Sequence, residues 1–171
     1  MALDLKSRPN RIPWPPLIVV GAAALAFLAQ RAYPLSLGLG FGARWLGWAL
    51  IAAGVGLDLW AIATLSRARV NILPHRAAGG LVTNGPFAFT RNPIYLGNTA
   101  VLVGVGGAAN SLWFVVAALV AAKLVEVLAI RREETHLALR FGSRWVDYAA
   151  RTPRWLGLPS AARRGPGEGT T

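Results

Sequence analysis

Two short stretches hold most of the side chains in this chain that could do chemistry. Residues 90–98 read TRNPIYLGN and put Arg91, Asn92 and Pro93 at the head of an apolar run, with Tyr95 inside its first turn. Residues 130–137 read IRREETHL and put Arg131, Arg132, Glu133 and Glu134 just past the end of the next apolar run. Guanidinium groups donate to carboxylates or phosphates, and carboxylates accept from ammonium and hydroxyl groups. Arginines beside adjacent glutamates at the mouth of a membrane cavity therefore suit a zwitterionic ligand. The same charges can equally form salt bridges that fix topology, and spacing alone leaves the two readings even. Pro93 fits a first helical position, where its missing amide hydrogen would have had no partner.

Other candidates are few. Asp58, Lys123 and Glu126 fall inside apolar runs, where a charge is costly and needs a partner. Lys123 and Glu126 are three residues apart and can meet on one helix face. Structural pairing is the preferred reading of these three, although Glu126 lies less than two turns before Glu133 and could line the same cavity. The absence of cysteine excludes disulfides, thiolate ligands and a cysteine nucleophile. Two histidines, His75 and His136, are too few for a metal cluster, so no metal is expected. His75 reads first as a solvated loop residue and second as a contact to a ligand.

The elements that must position these groups are membrane helices. The 171 residues are 54% hydrophobic with mean hydropathy +0.45, more apolar surface than a soluble domain of this size can cover. Four apolar runs stand out, at 17–29 (extensible to 14–33), 43–65, 94–109 and 111–130. A hydrocarbon core of about 30 Å asks for about 20 helical residues. The third run spans only about 24 Å, so it is expected to start inside the interface from a loop that dips toward the membrane. The fold class expected is all-α: a polytopic bundle of four transmembrane helices followed by an interfacial helix. The turn at 109–111 is very short and makes the last two spans an antiparallel hairpin, which draws the two charged stretches together. Gly97, Gly104, Gly106 and Gly107 allow close backbone approach in the third span. The glycines at 38, 40 and 42 follow no strand and read as a turn rather than a nucleotide loop.

Basic residues give an orientation. Lys6, Arg8 and Arg11 precede the first span, Arg67, Arg69, Arg76 and Arg91 fill the middle loop, and eight arginines follow Ile130. The remaining connections hold Arg31 and Arg44 in one case and no basic residue in the other. The positive-inside rule then puts both termini and the middle loop in the cytoplasm. A cleaved signal peptide is the rival reading of the first run, but its removal would leave three spans and put the two basic segments on opposite sides. A net charge of +11 and a pI near 11.7 fit the flanks of membrane spans better than a nucleic-acid surface, and no nucleic-acid partner is expected.

Beyond Ile130 a helix is expected to run to about Ala150. Leu137, Phe141, Trp145 and Tyr148 recur at helical spacing as an apolar stripe, with Arg132, His136, Arg140 and Arg144 beside it. Such a helix lies along the interface with its cations near anionic headgroups. The organisation expected is a cytoplasmic segment at 1–13, two helices within 14–65, a functional core at 66–156 and a disordered tail at 157–171.

At this point the residues resemble a known group. LVTNGPFAFTRNPIYLGN, followed by EETHLALRFGSRWVDYAARTPRWLG, is similar to the isoprenylcysteine carboxyl methyltransferase and phospholipid methyltransferase superfamily of integral-membrane enzymes. In that superfamily a Gly-Pro-aromatic, Arg-(His or Asn)-Pro-x-Tyr block precedes Glu-Glu-x-x-Leu and Phe-Gly-x-aromatic-x-x-Tyr. The likeness covers about half the chain, from Asn71 to Leu156, and the first two spans carry no such signature. It implies methyl transfer from S-adenosylmethionine bound at the cytoplasmic edge of the hairpin, to a lipid or lipid-like acceptor. Leu81, Val82, Phe87, Asn92, Pro93, Ile94, Tyr95, Glu133 and Glu134 match the family's cofactor positions. Arg91, Arg131 and Arg132 match the arginines that bind or orient the acceptor. Asn92 replaces a histidine frequent in eukaryotic members, and Trp145 stands where tyrosine is frequent. A nicotinamide-dependent membrane reductase related to sterol reductases, whose Tyr-Gly-x-x-Trp-x-x-Tyr segment FGSRWVDY resembles, is one alternative; a non-catalytic membrane binding protein is another. The acceptor and the oligomeric state are not legible in these residues.

Overall fold

Apolar runs of membrane length set the architecture. A computed structural model describes residues 14–69 and 80–156, all of whose regular elements are helical. Helix α1 spans Trp14–Ala32, α2 Phe41–Arg67, α3 Pro93–Ala108 and α4 Leu112–Val125. A single π-turn, Glu126–Ile130, carries α4 without a break into α5, Arg131–Phe141; α6 follows as Ser143–Arg151. Three helices are long and apolar enough to cross a membrane, and α3 is a shorter apolar helix. The protein is an integral membrane protein built as a helical bundle. The expected segment at 1–13, the tail at 157–171 and His75 lie outside the described residues.

The order of packing is set by small residues. α2 lies closest to α3 because glycines face each other across the contact. A Cβ on Gly47 would collide with the backbone of Gly104, Gly107 and Ala108, and one on Gly54 with the Gly97 carbonyl. Gly106 meets the start of α4 instead, against Ser111 and Val115. The close approach expected within the α3–α4 hairpin is therefore divided, with its tightest part between α2 and α3. α1 covers the other side, where Ile18, Val19, Ala22 and Ala23 pack on Leu102, Ala118 and Ala121.

One end of the bundle is tied by turns. Asn110, at φ 54°, closes the α3–α4 hairpin and exchanges hydrogen bonds with the α1–α2 loop through Ser36 and the Leu39 amide. The Leu112 amide donates to the Leu35 carbonyl at 2.9 Å, and Arg44 Nε to the Ala108 carbonyl at 2.8 Å. The 38–42 glycines form this loop and the entry to α2, as the sequence suggests.

The opposite end gathers the ends of α2, α4 and α5 and the start of α3. α4, the π-turn and α5 make one 30-residue helix about 45 Å long, and since about 20 residues cross the hydrocarbon, α5 projects beyond it. The expected continuous helix to Ala150 is interrupted. Gly142 takes φ 55° and ψ −128°, a conformation only glycine adopts without strain, and the chain turns there so that α6 folds back. The apolar stripe is split by this turn: Trp145 and Tyr148 are buried while Phe141 is half-exposed. His136 does not join the cationic stripe; it is 1% exposed, whereas Arg132, Arg140 and Arg144 face outward.

Candidate active site

Three segments converge at the end where α5 projects: the loop from Leu81 to Asn92, the first turn of α5, and residues 152–156 after α6. Pro86 sits inside a 3-10 turn, Gly85–Ala88, whose Gly85 has φ 59° and abuts Thr64 of α2. Leu81, Val82 and Phe87 are half-buried around it. Asn92 is the N-cap of α3 with Pro93 at its first position, as the sequence indicated. The Asn92 side chain turns outward from the helix and donates to the Arg154 carbonyl at 2.9 Å.

The two charged stretches of the sequence meet. Arg91 Nη1 lies 3.1 Å from Glu134, each side chain 15% exposed, and the Arg91 guanidinium stands 5.6 Å over the Trp145 ring. Tyr95 donates its hydroxyl hydrogen to Glu133 at 2.8 Å. Ion pairs this sheltered are stronger than surface pairs but depend on every partner being present. Arg91 Nε is buried with no hydrogen-bond partner among the described residues. Burial pushes the Glu133 carboxyl up to about 7, and Glu134 beside it adds to the rise, while the Tyr95 hydrogen bond pulls the other way.

The arginines separate by position. Arg131 turns back along its helix to Glu126 at 2.9 Å, and Lys123 reaches the same carboxylate at 3.3 Å; the expected Lys123–Glu126 pair is present. Arg132 is exposed. Of the three arginines singled out, Arg91 alone contacts the Glu133–Glu134 doublet among the described residues. Asp58 of α2 sets its carboxylate against Gly97, two residues beyond Tyr95, and its Oδ1 has no hydrogen-bond partner among the described residues.

Arg154 was not visible as a site residue in the sequence. Its Nη2 and Nε hold both oxygens of Glu134, at 2.6 and 3.0 Å, and its Nη1 reaches Glu126 at 3.5 Å. The partner carboxylates hold the Arg154 guanidinium even more firmly in its charged form. Its backbone is fastened as well: the Pro153 carbonyl accepts from the Arg91 amide at 2.9 Å, and the Arg154 carbonyl accepts from Thr90 Oγ1 at 3.1 Å. Tyr148 closes the loop from the other side, donating to the Phe87 carbonyl at 2.7 Å. The signal that could have found Arg154 is the Thr-Pro-Arg-Trp sequence itself, because the proline ends α6 and frees the next two residues to fold back.

Beside the charges lies a narrow cleft of about 10 Å³, with room for little more than a water molecule, between α1, α3 and α4, lined by Val19, Tyr95, Asn98, Thr99, Val125 and Trp155 among others. Asn98 Nδ2 donates one hydrogen to the Ile94 carbonyl and Thr99 Oγ1 donates to the Tyr95 carbonyl of their own helix, which uses part of the polarity of this wall. Tyr95 belongs to both halves, its ring in the cleft and its hydroxyl on Glu133.

The family model for phospholipid methyltransferase matches residues 43–144, from α2 to the start of α6. The nickel-cobalt-cadmium resistance protein of Alcaligenes xylosoxydans xylosoxydans is 33% identical over 113 residues, which is 66% of this chain and 52% of that protein. The cobalt-zinc-cadmium resistance protein of Cupriavidus metallidurans is 34% identical over 76 residues, 44% of this chain and 35% of that protein. This chain thus aligns with about half the length of the first relative and about a third of the second. With well over half of its residues matched, the chain belongs to the phospholipid methyltransferase family, within the superfamily of integral-membrane methyltransferases.

Proposed function

We propose that this protein transfers a methyl group from S-adenosylmethionine to an apolar or amphiphilic acceptor that reaches the site from the bilayer, with the cofactor entering from the cytoplasm. The observation that carries the reading is the meeting of Arg91 with Glu134 and of Tyr95 with Glu133 at one end of the α3–α4 hairpin. The residues fit such a cofactor: Arg91 Nε is a buried donor with no partner, suited to the cofactor's carboxylate. Glu133 has one oxygen engaged by Tyr95, which leaves the other to accept from an ammonium or hydroxyl.

S-adenosylmethionine, when bound, supplies a methyl group already activated by its sulfonium. The chain's own task is then to hold, align and keep water out. Leu81, Val82 and Phe87 offer apolar surface for the adenine. Asn92, Pro93 and Ile94 fix the turn that carries Arg91 and Tyr95. Glu133 and Glu134 place negative charge near a cationic cofactor; because that charge falls as the methyl leaves, they favour binding more than rate. Arg131 and Arg132, outside the doublet, are assigned to an anionic part of the acceptor. Residues 66–156 form the functional core in this reading, with both termini cytoplasmic. The metal resistance in the relatives' names belongs to those proteins and is compatible with several acceptors.

Titration of the detergent-purified protein with S-adenosylhomocysteine and with NADPH tests the proposal. Binding of the first and not of the second is expected. NADPH binding alone would replace the reading with a reductase, and binding of neither would leave a non-catalytic membrane protein. Mass spectrometry of lipid extracts incubated with methyl-labelled S-adenosylmethionine then identifies the acceptor.

A further inference from the structure

Residues 152–156 close over both halves of the site at once. Arg154 takes both oxygens of Glu134 and reaches Glu126. Its neighbour Trp155 packs on Val125, Ala129 and Ile130 beside Tyr95 and lines the cleft. The segment is fastened to the 90–92 loop by three hydrogen bonds to the Pro153 and Arg154 carbonyls, from the Arg91 amide, Thr90 Oγ1 and Asn92 Nδ2. With Arg91 also on Glu134, that carboxylate faces two guanidinium groups that occupy three of its roughly four acceptor directions, so the ammonium of a cofactor has to compete with them for it.

Of the two, Arg91 is the less free to go. Its side chain is 15% exposed and is stacked on the buried Trp145 ring. Arg154 is 33% exposed and stands on a short segment after a helix end. We propose that residues 152–156 are a strap in which Arg154 acts as an internal counter-ligand for Glu134: a cationic cofactor displaces it, and its departure draws Trp155 out of the acceptor cleft. When the 153–154 backbone parts from the 90–92 loop, Arg154 and Trp155 are carried together, so cofactor loading opens the cleft, and cofactor binds before acceptor. This inference rests on the cofactor reading above.

The sign of one substitution decides it. If the strap is closed most of the time, apparent cofactor affinity is reduced by the fraction of open molecules, so Arg154→Gln should tighten S-adenosylmethionine binding about tenfold. S-adenosylhomocysteine needs the same open strap and should gain by about the same factor. Trp155→Ala loosens the same strap without touching a carboxylate and should shift both ligands in the same direction, which keeps the test decisive if Arg154→Gln does not fold. Hydrogen exchange gives an independent readout in the wild type. Adding S-adenosylmethionine should speed exchange of the Arg91 amide, whose partner is the Pro153 carbonyl, although ligands ordinarily slow exchange at their sites. Weaker binding in both variants, together with a slower Arg91 amide, would overturn the strap while leaving the cofactor reading intact. If neither wild type nor variants bind S-adenosylmethionine, both fall together.

Discussion

The α2–α3 seam and the charged end of the bundle are both tightly made, but by opposite means. Along the seam, contact comes from missing side chains: Gly47, Gly54, Gly97 and Gly104 let two backbones touch, and packing of this kind holds helices together in lipid, where no hydrophobic force separates protein from solvent. At the charged end, contact comes from long side chains that cross between segments far apart in sequence: Arg91, Glu126, Glu134 and Arg154. A seam without side chains has one arrangement and tolerates no growth. A network of ion pairs has alternatives, because each carboxylate can exchange one cation for another. The first region suits a fixed frame, the second a site that must open and refill.

The largest effect expected follows from the seam. Gly47→Val puts side-chain atoms where the Gly104 and Gly107 backbone already lies, and neither neighbour has a flexible end that can yield. Overpacking of a core costs about 1–3 kcal/mol where side chains can adjust, and here the backbone itself must part, so the loss should be at or above the top of that range. Denaturation in mixed micelles checks it. Gly56→Val on the same helix, where a Cβ meets nothing, should change stability little. Equal losses at Gly47 and Gly56 would mean that the seam is not where this bundle is held.

At the charged end the two glutamates should part company. Glu134→Ala leaves Arg91 and Arg154 without their shared carboxylate and unfastens residues 152–156, so it should cost about 2 kcal/mol, less than a fully buried pair because Arg154 is partly solvated. Glu133→Ala loses one hydrogen bond to Tyr95, costing about 1 kcal/mol, yet should weaken S-adenosylhomocysteine binding more for each unit of stability lost. Thermal unfolding and ligand titration on the same two preparations compare them. If the Glu133 variant proves the less stable of the two, Glu134 is not the carboxylate that fastens residues 152–156.

What the sequence discloses follows the same division. The four apolar runs, the hairpin turn at 109–111, the Asn92–Pro93 helix start and the nearness of Arg91 to the Glu doublet are all legible, because length, turn residues and charge pattern act locally. Three things are not. The seam with α2 carries no motif, since its glycines lie among alanines and valines and only their partners across the contact give them meaning; yet the family match begins inside α2. The π-turn at Glu126–Ile130 has no residue signature, but its extra residue shifts helical phase by about 100°, and so decides which face of α5 carries Glu133, Glu134 and His136. The turn at Gly142, not that shift, is why the continuous stripes read from spacing do not survive folding, since every residue of both stripes follows the π-turn. Arg154 was hidden for a third reason: its partners are 20 and 28 residues away across a helix reversal.

The pH dependence concerns Glu133 alone and separates it further from its neighbour. Its carboxyl is raised from 4.5 to about 7 by burial, so between those values the folded protein keeps a proton that the unfolded chain has already lost. The folded state then binds more protons, and stability must fall as pH rises through that window, by at most about 1.4 kcal/mol per pH unit, and level off above it. Arg154, which faces Glu134, is held in its charged form throughout. Glu133→Gln cannot ionise, so the difference in stability between wild type and this variant isolates the group from every other titration. Chemical denaturation at a series of pH values from 4 to 8 should show the wild type losing ground to Glu133→Gln as pH rises. A difference that stays flat would mean that Glu133 already finds a compensating cation in the folded protein, and the doublet would then be two anchors rather than an anchor and an open acceptor.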